Sequence, residues 1–446
     1  MISGYAMVKP ETNAVRVSRD HSGPPPQSYG RPGRTRTTVP STVPKGKHNM
    51  VGPYRGLFGT PGVKGFVIAG FIGRAPMSML GIGVILLITA ITGSYAKAGA
   101  VAATFSIAVA VAGPLTGRLV DRFGQARVLV PLVLMHACSL TTLMLCAHSG
   151  TPEWTLYAAG AVSGATGISL GSLVRARWSH VLADPAKLHT AFSFESVADE
   201  VIFVGGPAFV TALTIAINPY AGLIAAIVLT VSGTLAFAAM RGTEPPAVRH
   251  RGAAGSPIAI PGVALLSAVF LAMGAVFGSV DIITVAFAEE HGSKGAAGLL
   301  LASIACGSAV SGLWYGSRHW KISLRARFVR GLSLFAAGLT PVLLMRDVRV
   351  MALALFVAGL SISPTIITGF SLVERMVPAA QLNEGMAWVT TSINLGVAVG
   401  SWAGGRLTDA FGASNAYGFS YACALLAAVV GLAGSALVRV RHQHTN

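Results

Sequence analysis

Gly117-Arg118-Leu119-Val120-Asp121-Arg122-Phe123-Gly124 is a short charged stretch wedged between two apolar runs, each long enough to cross a bilayer. The sequence predicts a tight turn there. A turn carrying Arg118, Asp121 and Arg122, with Arg127 three residues further on, belongs at a membrane surface where its charges stay hydrated. Working outward from it, twelve apolar segments appear at about the 20-residue length that a ~30 Å hydrocarbon core requires. They lie near residues 65–90, 98–117, 128–147, 154–174, 190–213, 219–240, 259–285, 295–316, 327–345, 349–373, 384–405 and 415–438. The chain is 53% hydrophobic and only 11% charged, against about 25% charged in soluble domains, so it reads as a polytopic all-α membrane protein.

A net charge of +17 could suggest nucleic acid as a partner. The basic residues are instead spread among short connections, where their alternation sets orientation. With the N-terminus in the cytoplasm, the inner connections and flanks hold 21 Lys and Arg and the outer ones hold 5. The expected arrangement therefore has both termini in the cytoplasm, in the cytoplasmic membrane, as a monomer without nucleic acid. Residues 1–60 form a basic cytoplasmic tail, and residues 1–49, rich in Pro, Gly, Ser, Thr and Arg, are expected to be disordered. Met50 offers an alternative start, because the first segment and its basic flank survive without the tail. Cys138, Cys146, Cys306 and Cys423 fall inside apolar segments at spacings that suit neither a zinc site nor a disulfide framework, and are read as packing residues.

The longest polar inner connection, 241–257, follows the sixth segment and divides the chain into a first bundle, 61–240, and a second, 258–440, with a short tail at 441–446. Repeated halves of this kind mark secondary transporters. Small residues recur at four-residue spacing, as in Gly160 and Gly164, Gly167 and Gly171, and Gly396, Gly400 and Gly404. Such faces let backbones approach closely, either as static packing or as gliding surfaces.

The pattern Gly117-x-Leu119-x-Asp121-Arg122-x-Gly124-x-x-Arg127, placed between the second and third of twelve segments, resembles the signature loop of the major facilitator superfamily (MFS). Gln125 departs from the basic residue often found at its position. A second echo, Gly405-Arg406-Leu407-Thr408-Asp409-Ala410-Phe411-Gly412, follows the eleventh segment and should lie on the outer side. The resemblance covers residues 60–440 and implies the MFS fold, with two six-helix bundles rocking about a central substrate site. It also implies that the loop of Gly117, Arg118, Asp121, Arg122, Gly124 and Arg127 latches the cytoplasmic gate. Asp121 would then meet the start of the eleventh helix near Asn383 and Glu384, where unpaired amides carry partial positive charge.

Ionisable groups inside hydrocarbon cost at least ~2.5 kcal/mol each on insertion scales, so those present usually face a cavity or a partner. The fifth segment carries Glu195, Asp199 and Glu200, and the first carries Arg74 at nearly the same depth. The expectation is that Arg74 pairs with Glu200 or Asp199, either as a structural pair or as the centre of a proton-coupled cycle. Gly206-Pro207 resembles the kink of the family's antiporter signature, without its trailing glycine pair. Further cavity candidates are Asp281, with Ser279 and Thr284 nearby, and Trp388, Thr391 and Asn394; Trp388 also suits an interfacial anchor. Glu289, Glu290 and His291 are expected to be solvated in an outer loop.

The chain lacks a phosphate-binding G-x-x-x-x-G-K-[ST] loop, metal-ligand spacing and a nucleophile with a base, so no cofactor, metal or enzyme activity is expected. The sequence favours a secondary transporter that exports a small apolar or amphipathic solute, coupled to protons. Its rivals are an uptake symporter for a sugar, nucleoside or organic acid, and a membrane sensor that binds a ligand without moving it.

Overall fold

The computed structural model describes residues 57–247, 256–316, 320–378 and 381–437. Almost all of the predicted tail, part of the linker and the C-terminal tail lie outside these residues. Within them the chain is a run of helices: α1 (Val63–Ser78 with Leu80–Thr92), α2 (Tyr95–Phe123), α3 (Gln125–His148), α4 (Glu153–Val181), α5 (Pro185–Ala216), α6 (Ala221–Ala239), α7 (Pro261–Glu290), α8 (Ala297–Gly316), α9 (Leu324–Leu343), α10 (Val348–Met376), α11 (Leu382–Phe411) and α12 (Ala413–Leu437). Ten are long and apolar enough to cross a membrane, and the two parts of α1, bent by 41°, make an eleventh span. The remaining helix, α11, has 30 residues and a polar middle containing Thr390, Thr391, Ser392 and Asn394.

The charged stretch differs from the expected turn. Residues 117–123 are the last two turns of α2, and the chain reverses at a single residue, Gly124, whose φ of 89° lies in the left-handed region that favours glycine. The echo behaves in the same way: 405–411 complete α11, and Gly412, at φ 79°, makes the break before α12. Charged and polar side chains on exposed helix ends mimic a loop in sequence, because both are merely wet.

Three helices are interrupted. In α1 a 3-10 turn, Ala75–Ser78, carries Pro76 two residues after Arg74. The break in α4 separates Glu153–Ala165 from Leu170–Val181, and that in α10 separates Val348–Gly359 from Ile362–Met376. Freed backbone groups at membrane depth are tolerated only where protein or a water-filled cavity surrounds them, so the three breaks point at the centre of the molecule.

Glycines decide how closely the helices approach. A Cβ on Gly396 or Gly400 would fall on the Leu271 or Ala275 carbonyl of α7, and one on Gly164 would fall on the Phe105 carbonyl of α2. Hydrocarbon solvates a helix as well as another helix does, so this close backbone packing supplies much of the association energy. Gly400→Ala is expected to push α11 off α7 and destabilise the fold by about 1–3 kcal/mol, read as a lower thermal midpoint of the detergent-solubilised protein.

The starts of α1 and α7 lie beside the ends of α6 and α12: Gly65 packs on Met240 and Gly262 on Leu437. This side is called the linker face here, and the opposite side the distal face. Contacts between the two bundles concentrate toward the distal face. There Gly99 and Gly405 close α2 onto α11, and Gly298 brings α8 onto Pro207 and Thr211 of α5. Toward the linker face, nothing among the described residues lies within 4 Å of a Cβ placed on Gly113 or Gly117 of α2.

Candidate functional site

Arg74 ends the first part of α1 at its bend and is 4% exposed. A cation in that position must be neutralised, and α5 supplies two carboxylates one turn apart. An Arg74 Nη lies 2.5 Å from Glu195 Oε2, and the other lies 3.3 Å from Asp199 Oδ1. Glu195 is fully buried, and its second oxygen accepts a 2.7 Å hydrogen bond from Trp178 Nε1 of α4. Asp199 is shared with α4 as well, accepting from Arg175 Nη2 at 2.6 Å. Gly171, just past the break of α4, leaves room for both cations: a Cβ there would sit 3.4 Å from the Arg175 guanidinium and 3.7 Å from that of Arg74. The result is a chain, Glu195–Arg74–Asp199–Arg175, that ties two broken helices to α5.

The predicted membership of this cluster is partly met. Arg74 does pair with Asp199, but its shorter contact is with Glu195, and Glu200 takes no part. One residue of helix turns Glu200 about 100° from Asp199, toward the other bundle, where it lies 3.9 Å from a Cβ placed on Gly312 of α8. Its neighbour there is Ser363 of α10, which shares a 2.8 Å hydrogen bond with Ser308. Glu200 has no ion-pair partner among the described residues. Arg175 is not among the predicted site residues; it is one of the 21 Lys and Arg expected in the inner connections and flanks.

Other candidates scatter. Half-buried Asp281 has no ion-pair partner among the described residues, and the two residues expected beside it turn to α12 instead: Ser279 bonds Ser420 at 2.7 Å and Thr284 bonds Tyr417 at 2.8 Å. Thr391 and Asn394 are half-buried in α11's polar middle. Trp388, at the linker face, donates to Ser256 Oγ at 3.1 Å, and Ser256 donates to Glu384 at 2.8 Å, which is the geometry of an anchor between α11 and the start of α7. Gly206 receives α1 closely, since Ser78 occupies the space where its Cβ would be and donates to the Ile202 carbonyl at 2.8 Å. Helix α5 runs on through Pro207 without a break.

At the signature stretch, Arg118, Asp121, Arg122 and Arg127 are exposed on the linker face, and Arg122 rests 5.0 Å from the Phe123 ring. Asp121 makes no contact with the start of α11 among the described residues, and the Asn383 side chain is outside them. The departure at Gln125 has a local cause. Gln125 is 4% exposed and accepts a 2.8 Å hydrogen bond from Nε of Arg177, which is itself fully buried. Arg177 also donates to the Met240 carbonyl and Thr243 Oγ1, and stacks 3.7 Å over Phe237. A basic side chain at 125 would bury two cations together; an amide accepts the first one.

Glu289, Glu290 and His291 are exposed, as expected, but the two glutamates end helix α7 rather than lying in a loop, and they make specific bonds. Glu289 accepts from the Tyr95 hydroxyl of α2 and from Lys294 at 2.9 Å, and Glu290 accepts from the Ala413 amide at 2.7 Å. His291 packs against Phe287. No group of three or more His, Cys, Asp or Glu placed to hold a metal occurs among the described residues.

The sequence profile of the Major Facilitator Superfamily matches residues 66–316 and 265–446. No curated protein matches the chain. Among solved structures, a bacterial homologue of the iron transporter ferroportin in an inward-facing state superposes with a TM-score of 0.65 at 16% identity, covering 84% of this chain and 98% of that one. The nucleoside transporter NupG gives 0.61 at 14%, covering 85% and 99%. The human organic anion transporter MFSD10 gives 0.59 at 17%, covering 85% and 100%. At such identities the likeness is one of fold.

Proposed function

The chain belongs to the major facilitator superfamily, a family of transporters and not of enzymes, and from that premise we propose that it exchanges protons for a small solute, exporting it across the cytoplasmic membrane. The reading rests above all on Glu200. Glu195 and Asp199 are each committed to guanidinium partners, whereas Glu200 faces α8 of the other bundle without one among the described residues. A carboxylate in that place holds a proton or a cationic or hydrogen-bonding solute group, but not both at once. Competition for one carboxylate couples the two movements in opposite directions. With protons entering down their gradient, the solute leaves.

The chain of Glu195, Arg74, Asp199 and Arg175, buried at Glu195 and Arg74 and half-buried at Asp199 and Arg175, then serves as the fixed wall of this site, holding α1, α4 and α5 together while the bundles move. The excess of cations on the linker face supports its being cytoplasmic. An apolar lining with Gly, Ser and Thr suits an amphipathic solute. Inverted vesicles given an inward-acid pH gradient are expected to accumulate a lipophilic-cation dye severalfold over vesicles whose gradient has been collapsed. Accumulation that ignores the gradient would remove proton coupling, and gradient-dependent loss of dye from the lumen would reverse the direction.

A further inference from the structure

Residues 117–124 and 405–412 share the pattern Gly-Arg-Leu-x-Asp-x-Phe-Gly. Both copies form the last two turns of a 29- or 30-residue helix. Both end in a left-handed glycine with nearly equal angles, φ 89° and ψ 158° at Gly124, φ 79° and ψ 159° at Gly412. After each, the next helix starts at once, and a glutamate accepts from its early amide: Glu244 from Ala126 at 3.2 Å, Glu290 from Ala413 at 2.7 Å. One copy lies on the linker face and the other on the distal face, so the same device is built twice, inverted.

The two copies are in different states. Asp121 is exposed and makes no hydrogen bond or ion pair to the other bundle among the described residues, while Asp409 reaches across to the start of α2. Asp409 Oδ1 accepts from the Tyr95 amide at 3.0 Å, and Oδ2 accepts from the Ala96 amide at 2.9 Å and from Ser94 Oγ at 2.8 Å. These are among the first amides of α2, which have no partner inside the helix and carry its positive end. Only a residue without a side chain lets α11 come near enough: Gly405, one turn earlier, lies on the Tyr95 carbonyl, and Gly99, one turn into α2, lies on the Ser401 carbonyl. The Tyr95 hydroxyl adds a bond to Glu289 at the end of α7.

We propose that Asp409 is the latch of the distal gate, docked on the start of α2 while the cavity opens to the linker face and released when it opens distally. The reading rests on alternating access, and is independent of which solute or ion is carried. The carboxylate holds the gate through its charge and three hydrogen bonds that it accepts, and the glycine seam beneath sets the distance at which they form. The sequence pattern alone shows two copies; the difference in their docking assigns the distal one to the present state.

The test is a distance across the distal gate. Spin labels at Ser149, after α3, and Arg346, after α9, are introduced into the full chain with its four cysteines replaced by serine and measured by double electron–electron resonance in liposomes without solute. The parent is expected to give one dominant short distance. Asp409→Asn is expected to raise the longer-distance fraction about tenfold, the loss expected for charge-assisted bonds. Ser94→Ala, which removes one donor and no charge, should shift it less but in the same direction, and Asp121→Asn should not raise it. Parent-like distances in both Asp409→Asn and Ser94→Ala overturn the proposal, and Ser94→Ala decides it if the Asp409 variant fails to fold. Because no solute or gradient is present, a failure of proton coupling leaves the outcome unaffected, and a failed latch leaves proton exchange standing.

Discussion

Glu200→Gln is expected to reduce pH-gradient-driven transport to the leak of empty vesicles while leaving the protein folded. Glutamine keeps the size and hydrogen-bonding capacity of the side chain but cannot release a proton. Glu200 belongs to no ion pair among the described residues, so its neutralisation strands no buried charge, and the stability change should stay within about 0.5 kcal/mol. Solute counterflow, which needs alternating access and binding but no net proton movement, should survive at a measurable rate. Asp199→Asn offers the contrast. That change leaves Arg74 and Arg175 sharing an amide in place of a carboxylate, so it should damage folding as well as transport. Full gradient-driven transport by Glu200→Gln would exclude this residue from the coupling step.

Arg74→Ala is the second large effect, and it acts on stability. The substitution leaves Glu195, with no exposed surface, facing only the Trp178 indole. Removing one partner of a buried pair costs about 3–5 kcal/mol, because the remaining charge has lost both water and its counter-ion. The expected readout is little monodisperse protein after detergent extraction and a strongly lowered thermal midpoint. Arg74→Met combined with Glu195→Leu should recover most of the loss, since a pair of apolar residues of similar volume is often no worse than a buried ion pair. Asp199 keeps Arg175 in that double variant. If the double variant is as unstable as the single one, mutual neutralisation is not what Arg74 provides. A folded double variant that still exchanges protons would confine the cluster to scaffolding.

The segments were legible because a span must be apolar for about 20 residues whatever it packs against. Segment 128–147 became Gln125–His148, and 154–174 became Glu153–Val181. The ends of α2 and α11 were not legible: sequence shows that Arg118, Asp121 and Arg122 are hydrated, but not whether a hydrated stretch is helix or turn. The break in α1 had a signal in Pro76, two residues after Arg74, and those in α4 and α10 lie near Gly167 and Pro364. Prolines also occur in α2, α3 and α5 without interrupting the helix, so the residue type alone does not locate a break.

Within the candidate site, depth was readable and direction was not. Counting 1.5 Å per residue places Arg74 level with the carboxylates of α5. Which of Glu195, Asp199 and Glu200 meets it depends on the rotation of α5 about its axis, and that is fixed by distant contacts such as Gly206 against Ser78 and Gly298 against Pro207. The same holds for Gln125, whose polarity makes sense only beside Arg177 of another helix.

The sequence by itself determined that this chain is a polytopic all-helical membrane protein with apolar segments about 20 residues long, because hydrocarbon thickness acts on each segment separately. Tertiary structure alone decided that Arg74 clasps Glu195 and Asp199, that Glu200 turns to the opposite bundle, and that Asp409 is docked while Asp121 meets no partner among the described residues. Those outcomes depend on helix rotation and on the relative placement of two bundles, and both are set by close glycine contacts between residues far apart in the chain, such as Gly206 with Ser78 and Gly99 with Ser401.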